Sequence, residues 1–115
     1  VHAITRNVAQ WWVEGHDLLL TPTIAEPPPK VGEFISAPED PLRVGRRSLP
    51  FMTFTAPFNA TGQPAISLPL HWNKDGLPIG IQLVAAYGRE DLLIRVASQL
   101  EDARPWKDRL PPLHA

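Results

Sequence analysis

Apolar residues recur at helical spacing at the start of the chain. Val1, Ile4, Val8, Trp11 and Trp12 fall on one face of a helix, and Gly15 is a natural stop just past the last of them. Leu18, Leu19 and Leu20 then form a short apolar run closed by Thr21-Pro22-Thr23. A run of that length bounded by proline predicts a buried strand. The pattern is lost from Glu26 to Pro50. Pro27, Pro28 and Pro29 favour extended polyproline backbone there, and Gly32, Pro38, Pro41 and Gly45 keep the rest irregular. Loops of this length inside a compact domain are commonly functional or mobile, so this one reads either as cover for a pocket or as a surface excursion.

A short helix is predicted from Leu49 to Pro57, ending at a turn, Asn59-Ala60-Thr61-Gly62. Pro64 to Pro69 reads as a strand bracketed by prolines, Asn73-Lys74-Asp75-Gly76 as a hairpin turn, and Ile79 to Val84 as the returning strand. Proline inside or beside these strands assigns them to strand starts or sheet edges. Glu90 to Ala103 predicts an amphipathic helix with Leu92, Leu93, Val96, Ala97 and Leu100 on its apolar face, ended by Arg104-Pro105. The tail, with Pro111 and Pro112, reads as coil. Three strands and two amphipathic helices leave Trp11, Trp12, Phe51, Phe54 and Phe58 short of partners. Part of the apolar surface is therefore expected to pack against polypeptide outside this sequence. The start at Val1, in mid-pattern, fits a cut piece.

Composition narrows the function classes. A chain of 115 residues with 43% hydrophobic content suits one folded domain, and its 14 prolines imply many fixed turns. A net charge of -1 gives no case for nucleic-acid or membrane-surface binding driven by global charge. Arg43, Arg46 and Arg47 form a basic cluster without interleaved aromatics and read as a solvated loop. The absence of cysteine excludes disulfides, a thiolate nucleophile and Cys-ligated zinc. No apolar run reaches membrane-spanning length, and His2, Arg6 and Asn7 interrupt any signal-peptide pattern. A cytoplasmic protein is expected.

A search for catalytic groups finds none that fit together. The serines are Ser36, Ser48, Ser67 and Ser98. His71 follows Ser67 by four residues, about 13 Å along a strand, too far for a nucleophile and its base. No Gly-x-Ser-x-Gly elbow exists. Lys30, Lys74 and Lys107 occupy exposed contexts, where nothing would keep an amine neutral. His2, His16, His71 and His114 form no close pair, and Asp17 beside His16 is a weak constellation, so no metal is implied. Gly76 and Gly80 belong to a hairpin and a strand, not to a phosphate cradle, and no cofactor is implied. Glu90-Asp91 would complement a helix dipole, and Glu39-Asp40 would be solvated. Gln82, polar within an apolar strand, requires a buried partner or an exposed face.

The stretch Pro57-x-Asn59-x-x-Gly62-x-Pro64-Ala65, leading into a strand, resembles the amidase-signature family. The likeness continues through Gly76-Leu77-Pro78-Ile79-Gly80-Ile81-Gln82-Leu83-Val84 and Glu90-Asp91-Leu92-Leu93. Upstream it includes Asp17-Leu18-Leu19-Leu20-Thr21-Pro22-Thr23, so it spans about Val8 to Pro105. The resemblance implies an α/β fold with a large mixed sheet covered by helices. Residues 1–115 would be an incomplete C-terminal part, with 26–50 as a proline-rich loop and an antiparallel pair between Pro64 and Val84. It also implies amide hydrolysis through an acyl-serine, using a serine, a second serine in a cis peptide and a neutral lysine. None of those three can be placed here, because the sequence has no Ser-Ser pair and no Gly/Ser-rich run.

What does carry over is the segment that approaches the acyl pocket, which maps onto Met52, Thr55 and Asn59 as substrate-binding residues. Glutamine-using members of the family carry an aspartate three residues before the threonine, where this chain has Met52. The resemblance thus implies an apolar acyl group in preference to glutamine, with core packing as the alternative role for Met52. The implied partners are a small-molecule amide, the missing N-terminal part of the enzyme and a second copy of the chain, with no nucleic acid and no membrane. Three readings follow in order: a piece of an amidase, a non-catalytic binding module derived from one, and a self-sufficient small enzyme.

Overall fold

The structure is a computed structural model that describes residues 2–111, so Val1, Pro112 and His114 lie outside the described residues. In chain order the elements are α1 (His2–Val13), β1 (Leu18–Pro22), α2 (Arg43–Met52), α3 (Ala56–Thr61), β2 (Ala65–Trp72), β3 (Pro78–Ala85) and α4 (Glu90–Ala103). The three strands form one sheet in the order β1-β3-β2, with both pairings antiparallel.

β3 is the central strand, which suits its near-continuous apolar run. Pro78 sits at its first position, and the other strand prolines, Pro22 and Pro69, lie on the edge strands. Edge placement is what a missing N–H demands. At Pro69 the β2–β3 register slips, with Leu68 opposite Ile81 but His71 opposite Ile79, so β2 carries one extra residue in a bulge. The predicted hairpin is present with a longer turn. The Asn73 side-chain oxygen accepts the N–H groups of Asp75 and Leu77, both at 2.9 Å, and Gly76 takes a φ of +78° that few other residues tolerate.

Alternation along β3 sends its side chains to two faces. Leu83 and Ala85 point to the face covered by α4, where they join Leu68 and Leu93 in the core, flanked by Leu18, Ile66, Val96 and Trp106. Gln82 and Val84 point to the other face, where Gln82 meets the link between α2 and α3. α4 has the predicted bounds, with Glu90 and Asp91 in its first turn.

The structure corrects four local expectations. β1 is a half-buried edge strand with Leu20 64% exposed, not a buried one, because α4 packs over β2 and β3 and the core reaches Leu18 but not Leu20. The irregular stretch expected to reach Pro50 ends at Leu42, and the helix expected over Leu49–Pro57 is α2 instead. Its inward positions are Val44, Arg47, Ser48 and Phe51, a helical stripe that contains an arginine and a serine, so hydropathy does not reveal it. The turn expected at Asn59–Gly62 is mostly helix. α3 has Pro57 in its first turn and Gly62 as a left-handed cap at φ +84°, donating its N–H to the Phe58 carbonyl at 2.8 Å. Finally, Arg43, Arg46 and Arg47 lie on α2 and not in a loop; Arg43 and Arg46 are exposed, whereas Arg47 is half-buried and paired, as described below.

Candidate functional site: the α2–α3 junction

The three residues expected to bind substrate lie on the link between α2 and α3. Met52 closes α2, Thr55 is the residue before α3, and Asn59 lies within α3. The Met52 carbonyl accepts the Thr55 N–H at 3.2 Å and the Thr55 hydroxyl at 3.5 Å, and the Thr55 carbonyl accepts the Asn59 N–H at 3.2 Å. The junction thus brings Met52 and Thr55 together and holds Asn59 one turn further on, exposed. Met52 is 51% exposed, so it packs no core among the described residues and its flexible thioether is presented outward.

The junction is anchored to the sheet by Gln82. This side chain is 4% exposed, and its amide donates to the Phe54 carbonyl at 2.9 Å and to the Thr21 hydroxyl at 3.1 Å. The polar residue in the apolar strand therefore has its buried partner: it satisfies a main-chain carbonyl that belongs to neither helix. Gln82→Leu keeps the volume but leaves that carbonyl without its donor. The expected cost in the intact protein is about 1–2 kcal/mol, measured by urea unfolding.

A cavity of about 330 Å³ opens beside Phe54, between the chain that follows β1 and the start of β3. Its walls include Pro22, Ile24, Glu26, Pro28, Phe54, Ile79 and Gly80, but not Met52, Thr55 or Asn59. Gly80 is required by its surroundings. The Thr23 and Ser67 hydroxyls, from either side of β3, hydrogen-bond to each other at 2.6 Å, and a Cβ on Gly80 would come within 2.6 and 2.8 Å of those oxygens. Ser67 is thus engaged with Thr23, 44 residues away in sequence. A second, apolar groove of about 390 Å³ lies between α1 and α3, lined by Val8, Trp11, Trp12, Leu19, Pro57 and Phe58. His16, one half of the weak His-Asp constellation, stacks on Trp11 with ring centroids 4.1 Å apart.

The basic cluster has a role that the sequence reading missed. Arg47 donates two bonds to Glu26, at 2.8 and 2.9 Å, and two to Glu33, at 2.8 and 2.6 Å. Its guanidinium also lies 5.1 Å from the Phe51 ring centre and 5.9 Å from that of Phe34, and the two rings meet edge to face. Hydrogen bonds from Arg47, joined by the Lys30 N–H, hold the Glu33 carboxyl below its ordinary range, and the carboxylates, Glu26 first, raise the guanidinium. Arg46 pairs with Asp40 at 2.5 Å. The available signal was the run of arginines following acids at a proline-rich loop, but a charge pattern alone does not say which pairs close.

Lys30, Lys74 and Lys107 are exposed, as their sequence contexts suggested. Among the described residues no group of three or more His, Asp or Glu side chains could hold a metal, and no helix is long and apolar enough to cross a membrane.

The family model described as Amidase matches residues 1–94. The chain is 52% identical over 113 residues to 6-aminohexanoate-cyclic-dimer hydrolase of Paenarthrobacter ureafaciens, covering 93% of this chain and 23% of that protein. It is 31% identical over 100 residues to an acylamidase of Rhodococcus erythropolis, covering 87% of this chain and 21% of that protein. It superposes on a structure of 6-aminohexanoate cyclic dimer hydrolase complexed with substrate with a TM-score of 0.86 and 47% identity, over 94% of this chain and 23% of that one. The chain therefore spans about 23% of the length of 6-aminohexanoate-cyclic-dimer hydrolase, and it carries the fold of that part of it. With the turn, hairpin and last-helix motifs all in place, this chain belongs to the amidase family.

Proposed function

We propose that this chain is the C-terminal part of an amidase. In the intact protein it would contribute to hydrolysis of a carboxylic amide to an acid and an amine or ammonia through an acyl-serine intermediate. The nucleophile, the cis-peptide serine and the lysine base would come from polypeptide upstream. Residues 1–115 would supply scaffold and one wall of the acyl pocket, formed by Met52, Thr55 and Asn59. The observation that supports this best is the superposition on the substrate-bound hydrolase across nearly the whole chain. The apolar groove at Trp11, Trp12 and Phe58 is the place where the upstream polypeptide would pack. The remainder of the reading is a cytoplasmic enzyme that forms homo-oligomers and does not bind nucleic acid.

The acyl group would be apolar. An exposed thioether at the pocket wall offers dispersion contact and no charge to hold an α-amino group. The test is a panel of the 6-aminohexanoate cyclic dimer, simple aliphatic and aryl amides, and glutamine, each offered to the intact protein. Hydrolysis of an apolar amide faster than glutamine is expected, and no hydrolysis of any member would remove the assignment. Met52→Asp is expected to lower kcat/KM for the favoured apolar amide about tenfold or more, because a carboxylate against an apolar acyl group must be desolvated without a partner. Unchanged discrimination in this variant would take Met52 out of the pocket.

A further inference from the structure

Residues 25–34 form a strap that is joined to α2 at several points. Arg47 sits one and a half turns before Met52 on the same helix, on the inward stripe with Val44 and Phe51. Its fork grips Glu26 and Glu33 with four hydrogen bonds. Phe51, one turn on, meets Phe34 with ring centres 5.5 Å apart, and the Pro50 carbonyl accepts the Ala25 N–H at 3.1 Å. Three kinds of contact therefore fix the same helix to the same strap. Glu26 also lines the cavity beside Phe54. At the other end of the junction, Gln82 holds the Phe54 carbonyl. The Met52–Thr55 segment is suspended between two anchors, one on the sheet and one on the strap.

An isolated, partly exposed ion pair would carry little. This arrangement differs in geometry. One guanidinium serves two carboxylates from separate points of the chain and lies by two aromatic rings, so a single side chain closes the strap and sets the axis of α2. A lysine carries three donors on a single nitrogen and cannot reproduce the four bonds of the planar fork.

We propose that Arg47 is a positioning residue for substrate selection: by clamping Glu26 and Glu33 it fixes the strap and α2 and so places Met52 and Thr55 against the acyl group. This rests on the assignment of Met52 and Thr55 to the acyl pocket. Arg47 itself touches no reacting atom and leaves the chemical step alone. Loss of the clamp loosens the pocket wall and weakens substrate binding.

The test uses the intact protein and two readouts. The variants are Arg47→Met, which keeps the stem, Arg47→Lys, which keeps the charge, and the double change Glu26→Gln with Glu33→Gln. Arg46→Ala, on the neighbouring exposed pair with Asp40, is the comparison. The first readout is amide hydrogen exchange over residues 43–55, which does not depend on the reaction. The second is KM and kcat for the amide that the wild type hydrolyses best.

Arg47→Met and the double glutamine variant are expected to speed exchange over 43–55 about tenfold, a shift of about 1.4 kcal/mol in local opening. Both are expected to raise KM several-fold while kcat moves less than twofold. Arg47→Lys falls between, and Arg46→Ala matches the wild type. Exchange left unchanged in every Arg47 and glutamate variant overturns the clamp, whether or not the protein is an amidase. Faster exchange with KM unmoved, in an enzyme that is active, overturns the link to substrate selection. If Arg47→Met does not fold, Arg47→Lys and the glutamine pair decide the same point. Failure of the amidase reading would show separately, as a wild type that hydrolyses no amide.

Discussion

Leu83→Ala in the intact protein is expected to lower the free energy of unfolding by about 2–5 kcal/mol. The size follows from the position. Leu83 is 3% exposed on the central strand, paired with Leu20 of β1 on one side and Ile66 of β2 on the other. Its side chain belongs to the cluster with Leu68, Ala85 and Leu93 between the sheet and α4. Truncation removes transfer energy and leaves a cavity walled by two hydrogen-bonded strands and a helix, which cannot collapse without breaking the ladder. Urea unfolding, followed by a probe in this part of the protein, checks the value. A midpoint within error of the wild type would mean that this sheet is not the core of its region.

Gly80→Val is expected to be the second most damaging single change, at the upper end of the ~1–3 kcal/mol typical of overpacking. The first added carbon would lie 2.6 Å from the Thr23 hydroxyl oxygen, 2.8 Å from that of Ser67 and 3.1 Å from the Thr23 Cβ. Thr23 is β-branched and has few rotamers to retreat into. The Thr23–Ser67 bond must break, and the chain after β1, which forms one wall of the 330 Å³ cavity, must move outward. Gly80→Ala combined with Thr23→Ala tests the cause. The second change removes the nearest obstruction and should recover most of the stability lost in Gly80→Ala alone. No recovery, with Ser67→Ala added as well, would locate the strain elsewhere.

Much of this architecture is legible in the chain because it is written in hydropathy and in proline and glycine positions. The Asp75-Gly76 hairpin, the two strands it joins and the stripe Leu92, Leu93, Val96, Ala97, Leu100 of α4 all follow from such patterns. The resemblance carried by Asn59, Gly62 and Pro64 led to the family. What stayed hidden is held by polar groups. α2 turns inward through Arg47 and Ser48, so an apolar-period reading passes over it. Gly45 and Pro50, poor helix residues by propensity, reinforced that miss, and tertiary contacts with the strap override them. α3 was readable in principle, with Pro57 in its first turn and Gly62 past its end, but six residues give too little periodicity to distinguish a helix from a turn. The partners of Arg47 and of Gln82 are long-range choices that only the fold makes.

In this reading the reaction's nucleophile is not among these residues, and this chain shapes the pocket around it. The direct measurement is to label the intact active protein with a serine-reactive fluorophosphonate and to map the modified residue by peptide mass spectrometry. A single labelled serine outside residues 1–115 is expected, with labelling and amide hydrolysis lost in step. A label on Ser36, Ser48, Ser67 or Ser98 that accompanies loss of activity would contradict this and would place the chemistry within this chain.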